Sequence, residues 1–364
     1  VTNSVLRIES PGLMSTIQDL GRFGYQRYGI STSGAGDRDS LRLGNLLLGN
    51  EFGDAAVEIT FGGFAAGFTA TTAFVISGAD LNPTLNGTPV ALNTIYLAAK
   101  DDHIAMSAPN TGFRSYMHLP GGVDCDEVLG SYSTYRPARI GGIDGRALRV
   151  GDELSALEPG RDVPSGVTLN FPASESIQSP QSVRVVMGPQ DDHFTAAGVQ
   201  TLLGEVFTVT DRSSRQGVRL DGPDIEAVND SYDIVSDAVV TGSIQIPGDR
   251  KPIILMSDRQ TTGGYPKIAV IATVDLPLIA QSAPGAQIQF TAIDREEAVA
   301  LLRKRESLIT SATLISSDVR EFELLVDSDL HRVHAPLLAG EQSMERFQIE
   351  LDGIRHTVAI EDIE

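Results

Sequence analysis

Apolar residues in this chain come mostly in short runs broken by glycine, proline or asparagine, the spacing of strands rather than long helices. Runs at 73–77 before Gly78, at 93–98, at 183–187 ahead of Gly188-Pro189, and at 207–210 each predict a strand. Asn86-Gly87 predicts a tight hairpin, because both residues tolerate the positive φ of a type I′ turn. Two further apolar runs, 253–256 and 268–274, flank the polar stretch SDRQTTGGYPK. Near the C-terminus, Phe347, Ile349 and Leu351 share one face, Asp352-Gly353 turns the chain, and Ile354, Val358 and Ile360 return, which predicts a β-hairpin.

Helical spacing is rarer. Leu41, Leu47 and Leu48 predict a helix over 37–48 that stops at Gly49-Asn50. A short one is expected at 194–203. Over 294–305, Asp294 caps, Glu297 completes a capping-box-like pair, and Arg303, Lys304 and Arg305 sit at the negative end of the dipole. The fold class expected is mainly β, of barrel or sandwich type, in two β-rich domains with few short helices. A composition change over 158–182 separates an N-terminal domain, 1–165, from a C-terminal one, 166–305. A second break after Ser307 sets off an acidic extension, 306–364, whose deletion is expected to leave a folded core. From Glu306 onward there are 13 Asp/Glu against 4 Lys/Arg.

At 364 residues the chain is long enough for about two domains. A formal charge of −20 argues against nucleic acid or an anionic membrane as partner. The single cysteine, Cys125, excludes an intrachain disulfide and fits a reducing, cytoplasmic setting. No apolar run approaches a membrane span, and no basic-then-apolar leader is visible. Only four lysines occur, Lys100, Lys251, Lys267 and Lys304, so arginine supplies most positive charge.

Familiar motifs are informative by absence. No GxxxxGK[ST] phosphate loop, no GxSxG elbow and no Ser-xx-Lys signature is present. Of six histidines only His331 and His334 are close, without a third ligand at zinc-like spacing, so no metal is expected. No Met-Lys-Met segment carries biotin; any biotin comes from another chain.

Four polar, glycine-rich segments are candidate sites. In 15–40, Gln18, Asp19 and Arg22 lie among glycines, and Gly34-Ala35-Gly36 leads into Asp37 at a helix start; this is either an anion cradle or a turn with an ordinary N-cap. Segment 121–152 carries three Gly pairs or Gly-Ser steps with Ser133, Thr134 and Tyr135, and is a surface excursion or a functional loop. In 211–223, Arg212, Arg215 and Arg219 offer carboxylate recognition, or pair with Asp211, Asp221 and Asp224. In 257–271, Asp258 closes one strand and Lys267 opens the next, so both are expected on one rim of a barrel. There Gly263-Gly264 offers an anion nest.

These segments, in order, carry a resemblance. QDLGRFGYQRYGISTSGAGD, NLLLGN, Glu58, ISGAD, GGVDCDEVLGSYSTY, GGIDGRAL, VRVVMGPQDDHF, SRQGVRLDGP, GSIQIPG and DRQTTGGYPKIA together resemble the KipA or "allophanate hydrolase subunit 2" family. This is a family of biotin-dependent carboxyltransferases that includes the C subunit of bacterial 5-oxoprolinase and half of the carboxyltransferase domain of urea carboxylase. The likeness covers about 5–305 and not 306–364. It implies a cyclophilin-like β-barrel, a KipI-like partner as the B component of a complex, and a LamB/YcsF-like partner as its A component. The activity it implies is ATP-dependent hydrolysis of 5-oxoproline to glutamate by that complex, of which this chain is one member. The alternatives are carboxyl transfer from a partner's carboxybiotin to a urea- or amide-like substrate, and a regulatory KipI-binding protein without catalysis. Either chemistry needs oxyanion donors and an acid or base beside an amide nitrogen. On that basis Lys267, Asp258, Asp37, Arg22 and Glu58 are expected in catalysis. Gln18, Arg215, Gln245, Thr261, Thr262, Gly263, Gly264 and Tyr265 are expected around the substrate. The chain departs from the family at Gly36, where methionine is usual, at Gln216, again for methionine, and at 248–251, which is more basic. These departures bear on substrate identity.

Overall fold

Alternating burial along the first 160 residues builds two antiparallel sheets that share a core. One has seven strands, with Ser4–Pro11 between Glu153–Ala156 and Phe64–Phe68; the other has five, with Thr111–His118 between Ala56–Thr60 and Thr72–Asp80. The computed structural model describes residues 4–171 and 179–316. Beyond these it describes, as backbone alone, the strands Val319–Val326, Asp329–Pro336, Glu345–Leu351 and Ile354–Ile360. Ile8, Phe64, Phe68, Phe74, Ile76 and Met117 are among the side chains that fill the space between the sheets. The Asn86-Gly87 hairpin forms as expected, with φ of 51° and 81° between Thr84–Leu85 and Thr88–Pro89.

The second half is a closed barrel of seven strands that begins at Gln181–Met187 and ends at Gln287–Ala292. Its first and last strands pair in parallel, Gln181 opposite Ile288 through Val185 opposite Ala292, which closes the ring. Val183, Phe207, Ile244, Ile254, Ile268 and Phe290 fill it. The expected mainly-β fold with a barrel is therefore what the chain adopts. No helix among the described residues is long and apolar enough to cross a membrane.

Helix α1 spans Arg38–Leu47, and Asp37 caps it by accepting from the Ser40 N–H at 3.0 Å. Gly44 on α1 is required by a close approach: a Cβ there would lie 2.1 Å from His118 Nε2. His118, fully buried between Ser77 Oγ and Asn45 Oδ1, is driven by burial down to a pKa of about 3, so its ring is neutral. Helix α2 (Ala196–Gly204) starts at Thr195, which accepts from Gly198 N–H. A short α3 (Leu276–Ala280), with Pro277 in its first turn, follows the turn Thr273–Asp275 and was not revealed by apolar spacing. Helix α4 (Arg295–Thr310) is capped by Asp294, as expected.

The C-terminal break falls elsewhere than the sequence suggested. Basic residues at 303–305 read as a helix end, yet α4 runs through Ser307 to Thr310 and buries Ile309 completely. The chain then forms Thr313–Ser316, which pairs with Val167–Asn170 inside the segment read as a linker. Ile309, Val167 and Leu169 pack with Leu43, Leu47 and Val75 in a third core. The hairpin predicted near the C-terminus is present as Glu345–Leu351 against Ile354–Ile360, Leu351 opposite Ile354. Its Asp352-Gly353 turn and the side chains of His331 and His334 lie outside the described residues.

A chain ending at Ser307 exposes this third core, whereas one ending at Ser316 keeps it. Losing Ile309 and the strand pair costs about 3 kcal/mol or more, since burying one large aliphatic side chain contributes about 1.5–3 kcal/mol. Urea denaturation of the two truncations is expected to place the midpoint of the shorter well below that of the longer. Equal midpoints would show that the third core contributes nothing.

Candidate functional site

The two halves meet across a buried charge cluster. Glu58 comes from the strand Ala56–Thr60, Arg114 and Tyr116 from Thr111–His118, Arg215 from the turn before Gly217–Asp221, and Asp258 from the turn after Ile253–Leu255. Arg215 donates to both carboxylates: Nε and Nη2 to Asp258 at 3.0 and 3.1 Å, and Nη1 to Glu58 Oε1. Its Nη2 also reaches the Gly34 carbonyl. Glu58 Oε2 accepts from the Gly36 N–H and the Tyr116 hydroxyl, both at 2.8 Å, and Arg114 Nε stands 3.8 Å from Oε1. Ser33 Oγ donates to Asp258 at 2.7 Å. Two carboxylates and two guanidiniums balance, and all are at most 5% exposed.

Burial would raise the Glu58 pKa, but Arg215, Arg114, the Gly36 N–H and Tyr116 outweigh it and hold the carboxyl below its ordinary range. Arg215 is lowered by burial and raised more by Asp258 and Glu58, so it stays charged. Asp37 is different: burial raises its pKa against its bonds from Gln281 and Ser40. Tyr116 is pushed far up by burial and by Glu58, so it acts as a hydroxyl donor.

Beside this seam lies a cavity of about 570 Å³. Its walls are Leu20 and parts of 32–36 from the N-terminal half, Met256, Ser257 and Arg259 with parts of the 273–277 turn from the barrel, and faces of α1 and α4. Two of its arginines are matched: Arg42 holds Glu306 through two 2.8 Å bonds, and Arg305 holds Asp39 at 2.7 Å. Arg259 is not. It is 3% exposed, its Nη1 donates to Thr32 Oγ1 at 3.2 Å, its Nε has no partner, and no ion pair forms on it among the described residues. Burial alone lowers its pKa. An uncompensated buried guanidinium facing a cavity is an anion receptor.

Residues 28–292 match the family described as carboxyltransferase domain, subdomain A and B. The chain belongs to this family. It is 33% identical to the C subunit of the 5-oxoprolinase of Escherichia coli K12 over 295 residues, 81% of this chain and 93% of that one. Its fold follows the crystal structure of the Kluyveromyces lactis urea amidolyase with a TM-score of 0.79 at 26% identity. That match covers 96% of this chain but only 22% of the yeast enzyme. The solved structure of TTHA0988 matches at TM-score 0.71 and 29% identity, with 80% of this chain spanning just over half, 56%, of that one. The Escherichia coli relative is named as an enzyme subunit, and the Kluyveromyces lactis one as an enzyme of which this chain matches a part.

In this family member the expected site residues separate into three places. Glu58, Asp258 and Arg215 meet in the seam, with Asp37 beside them through Gln281. Of the aspartates expected to pair with the 212–219 arginines, Asp221 and Asp224 serve Lys251 and Arg250 instead. Gln18 and Arg22 sit deeper in the N-terminal half, against 128–134. Lys267 and Asp258 do not share a rim: Lys267 Nζ donates to Asp237 Oδ2 at 2.9 Å, away from the seam cluster. There Asp237–Ala238 pairs with Thr262–Gly263, next to Thr261 and Tyr265, and Gln245 donates to the Tyr265 carbonyl. Gly263 and Gly264 lack positive φ, so they form strand and turn rather than an anion nest. Among the described residues no cluster suits a metal ion. Arg259, Arg114, Tyr116 and Gln281 were missed. Only Arg259 had a sequence signal, its place inside DRQTTGGYP.

The folded chain holds Glu58 ionised to lower pH than the unfolded chain does. The stability from this pair is therefore complete above about pH 4.5, the ordinary glutamate value, and is lost as pH falls below it. Glu58→Gln leaves two buried guanidiniums, Arg215 and Arg114, against the single carboxylate of Asp258 and is expected to cost about 3–5 kcal/mol at pH 7. The same variant should flatten the acid limb. Denaturation at pH 7 and pH 4 reads both effects; an unchanged stability at pH 7 contradicts the seam's role.

Proposed function

We propose that this chain is the C-type member of an ATP-dependent 5-oxoprolinase-type complex, working in the cytoplasm, and that the seam cavity holds the substrate. One observation carries this reading: Arg259, buried and without a carboxylate partner, faces a cavity sized for a small molecule. 5-Oxoproline is a small cyclic amide that carries one carboxylate, and Arg259 supplies the matching charge. The share of the bacterial relative that the chain spans, 93%, supports the same reading. The missing phosphate loop leaves ATP use to the other members of the complex, one KipI-like and one LamB/YcsF-like. Ring opening needs the amide carbonyl polarised while water attacks. This chain's part is to bind the carboxylate and orient the ring, with the Glu58–Arg215–Asp258 cluster fixing the cavity walls. Asp37, Lys267 and the TTGGY segment then act by positioning.

A second reading is favoured by the likeness to the urea amidolyase, which spans almost the whole chain. In it the cavity takes the carboxylate of a partner's carboxybiotin, which would supply the carboxyl group for a urea- or amide-like acceptor. Arg259 fits that carboxylate equally well.

Reconstitution with the two partner proteins separates these. Arg259→Gln is expected to raise the KM for 5-oxoproline roughly 10–100-fold, the loss of one charge-assisted contact. Arg259→Lys should recover part of it. Turnover of 5-oxoproline that is indifferent to omitting this chain sinks the first reading, and biotin-dependent carboxylation of urea in its place establishes the second.

A further inference from the structure

The seam cavity holds more positive charge than one carboxylate can match. The charged side chains on its walls are Arg38, Arg42, Arg259 and Arg305 against Asp39 and Glu306, an excess of two positive charges in a chain whose formal charge is −20. Both acids are already committed, Glu306 to Arg42 through two 2.8 Å bonds and Asp39 to Arg305 at 2.7 Å. Two guanidiniums, Arg259 and Arg38, are left without an ion pair among the described residues.

The two stand at different depths. Arg259 is buried and its Nε has no partner, so it belongs to the floor. Arg38, the first residue of α1, is exposed and belongs to the mouth. It is held there: Nη2 donates to the Leu20 carbonyl at 3.1 Å, and the guanidinium carbon lies 5.5 Å from the centre of the Phe23 ring. The anchors of the two arginines are neighbours. Residues 19–22 run beside 32–35, with Arg22 N–H donating to the Thr32 carbonyl at 2.6 Å and Ala35 N–H to the Asp19 carbonyl at 2.9 Å. Arg38 is tied to the first of these segments through Leu20, and Arg259 to the second through Thr32 Oγ1. Gly21 lets the segments touch, since a Cβ there would lie 2.9 Å from the Thr32 carbonyl oxygen. Two unmatched cations thus line one cavity from adjoining stretches of chain.

A ligand with one carboxylate, such as 5-oxoproline, matches Arg259 and leaves Arg38 over. Glutamate has two carboxylates but brings an ammonium, for which the walls offer no uncommitted acid and an excess of like charge. A dicarboxylate without an amine matches the excess. We infer that the seam cavity is a receptor for small amine-free dicarboxylates, with one carboxylate on Arg259 and the other on Arg38, and that such a diacid competes with the substrate. The binding stands on these side chains alone; the competition rests on the 5-oxoprolinase reading.

The test is calorimetric titration of the full chain with glutarate and succinate, against monomethyl glutarate, which keeps the shape with one charge, and against glutamate. At least one diacid is expected to bind about tenfold or more tighter than the monoester and than glutamate. Arg38→Gln is expected to weaken the diacid about three- to tenfold, the modest share of an exposed pair, and to leave the monoester unchanged. Arg259→Gln weakens both ligands. Arg212→Gln, at an exposed arginine outside the cavity, binds both as the parent does. In the reconstituted complex the diacid raises the KM for 5-oxoproline and leaves kcat unchanged. A diacid that binds no tighter than its monoester, or that is indifferent to Arg38→Gln, overturns the assignment whether or not the complex turns over 5-oxoproline. Diacid binding that depends on both arginines while turnover ignores the diacid upholds the receptor, and overturns the competition together with the placing of 5-oxoproline in this cavity.

Discussion

Everything on this molecule's inner face depends on Arg215 staying charged between Glu58 and Asp258. The two carboxylates belong to different halves of the chain, and neither is exposed enough to be solvated by water. Each therefore needs the guanidinium, and the guanidinium needs both. A buried ion group of this kind adds less net stability than its Coulomb energy suggests, because desolvation is large. What it adds is position. Two lobes with separate apolar cores could slide on one another, but a planar donor fork shared by two acids admits one arrangement.

That arrangement gives the neighbouring cavity its polarity. Within a few residues of the seam the chain places one arginine that is fully matched and another, Arg259, that is left unmatched. Asp258 and Arg259 are consecutive, so the same turn that locks the halves together delivers the free cation. Segment 31–36 plays the matching part from the other side. Ser33 touches Asp258, Gly34 and Gly36 touch Arg215 and Glu58, and Thr32 touches both Arg22 and Arg259. The glycine-rich motif thus reaches residues of both halves from one short segment.

Features set by neighbours in sequence were legible from it. Asp37 and Asp294 cap the helices they precede, Asn86-Gly87 turns as its φ preferences require, and the apolar runs around 257–266 are barrel strands. Features set by distant partners were not. Arg215 and Glu58 are 157 positions apart, and no local pattern says that Arg215 ignores Asp211 and Asp221 beside it. Asp258 and Lys267 read as a pair because they flank one loop, yet a two-residue strand at Asp237–Ala238 takes the lysine. The ordered family motifs supply several of the segments that meet at the seam, while which residues meet there needed coordinates. The helix continuing past Ser307 was hidden for a related reason, since Ile309 is held by contacts with residues near 43–75 and 167–169.

Barrel closure carries a further consequence, for the order in which the chain leaves the ribosome. The strand Gln181–Met187 waits for Gln287–Ala292, about 100 residues later, before the ring can close. Until then Arg215 has no fixed place, and Glu58 in the already synthesised half keeps Arg114, Tyr116 and the Gly36 N–H but lacks its bonded guanidinium. The N-terminal half has its own core and partners for Glu58, but its final charge balance waits for the barrel. Locking of the two lobes is a late event, because the parallel pair that closes the barrel is made from strands far apart in the chain.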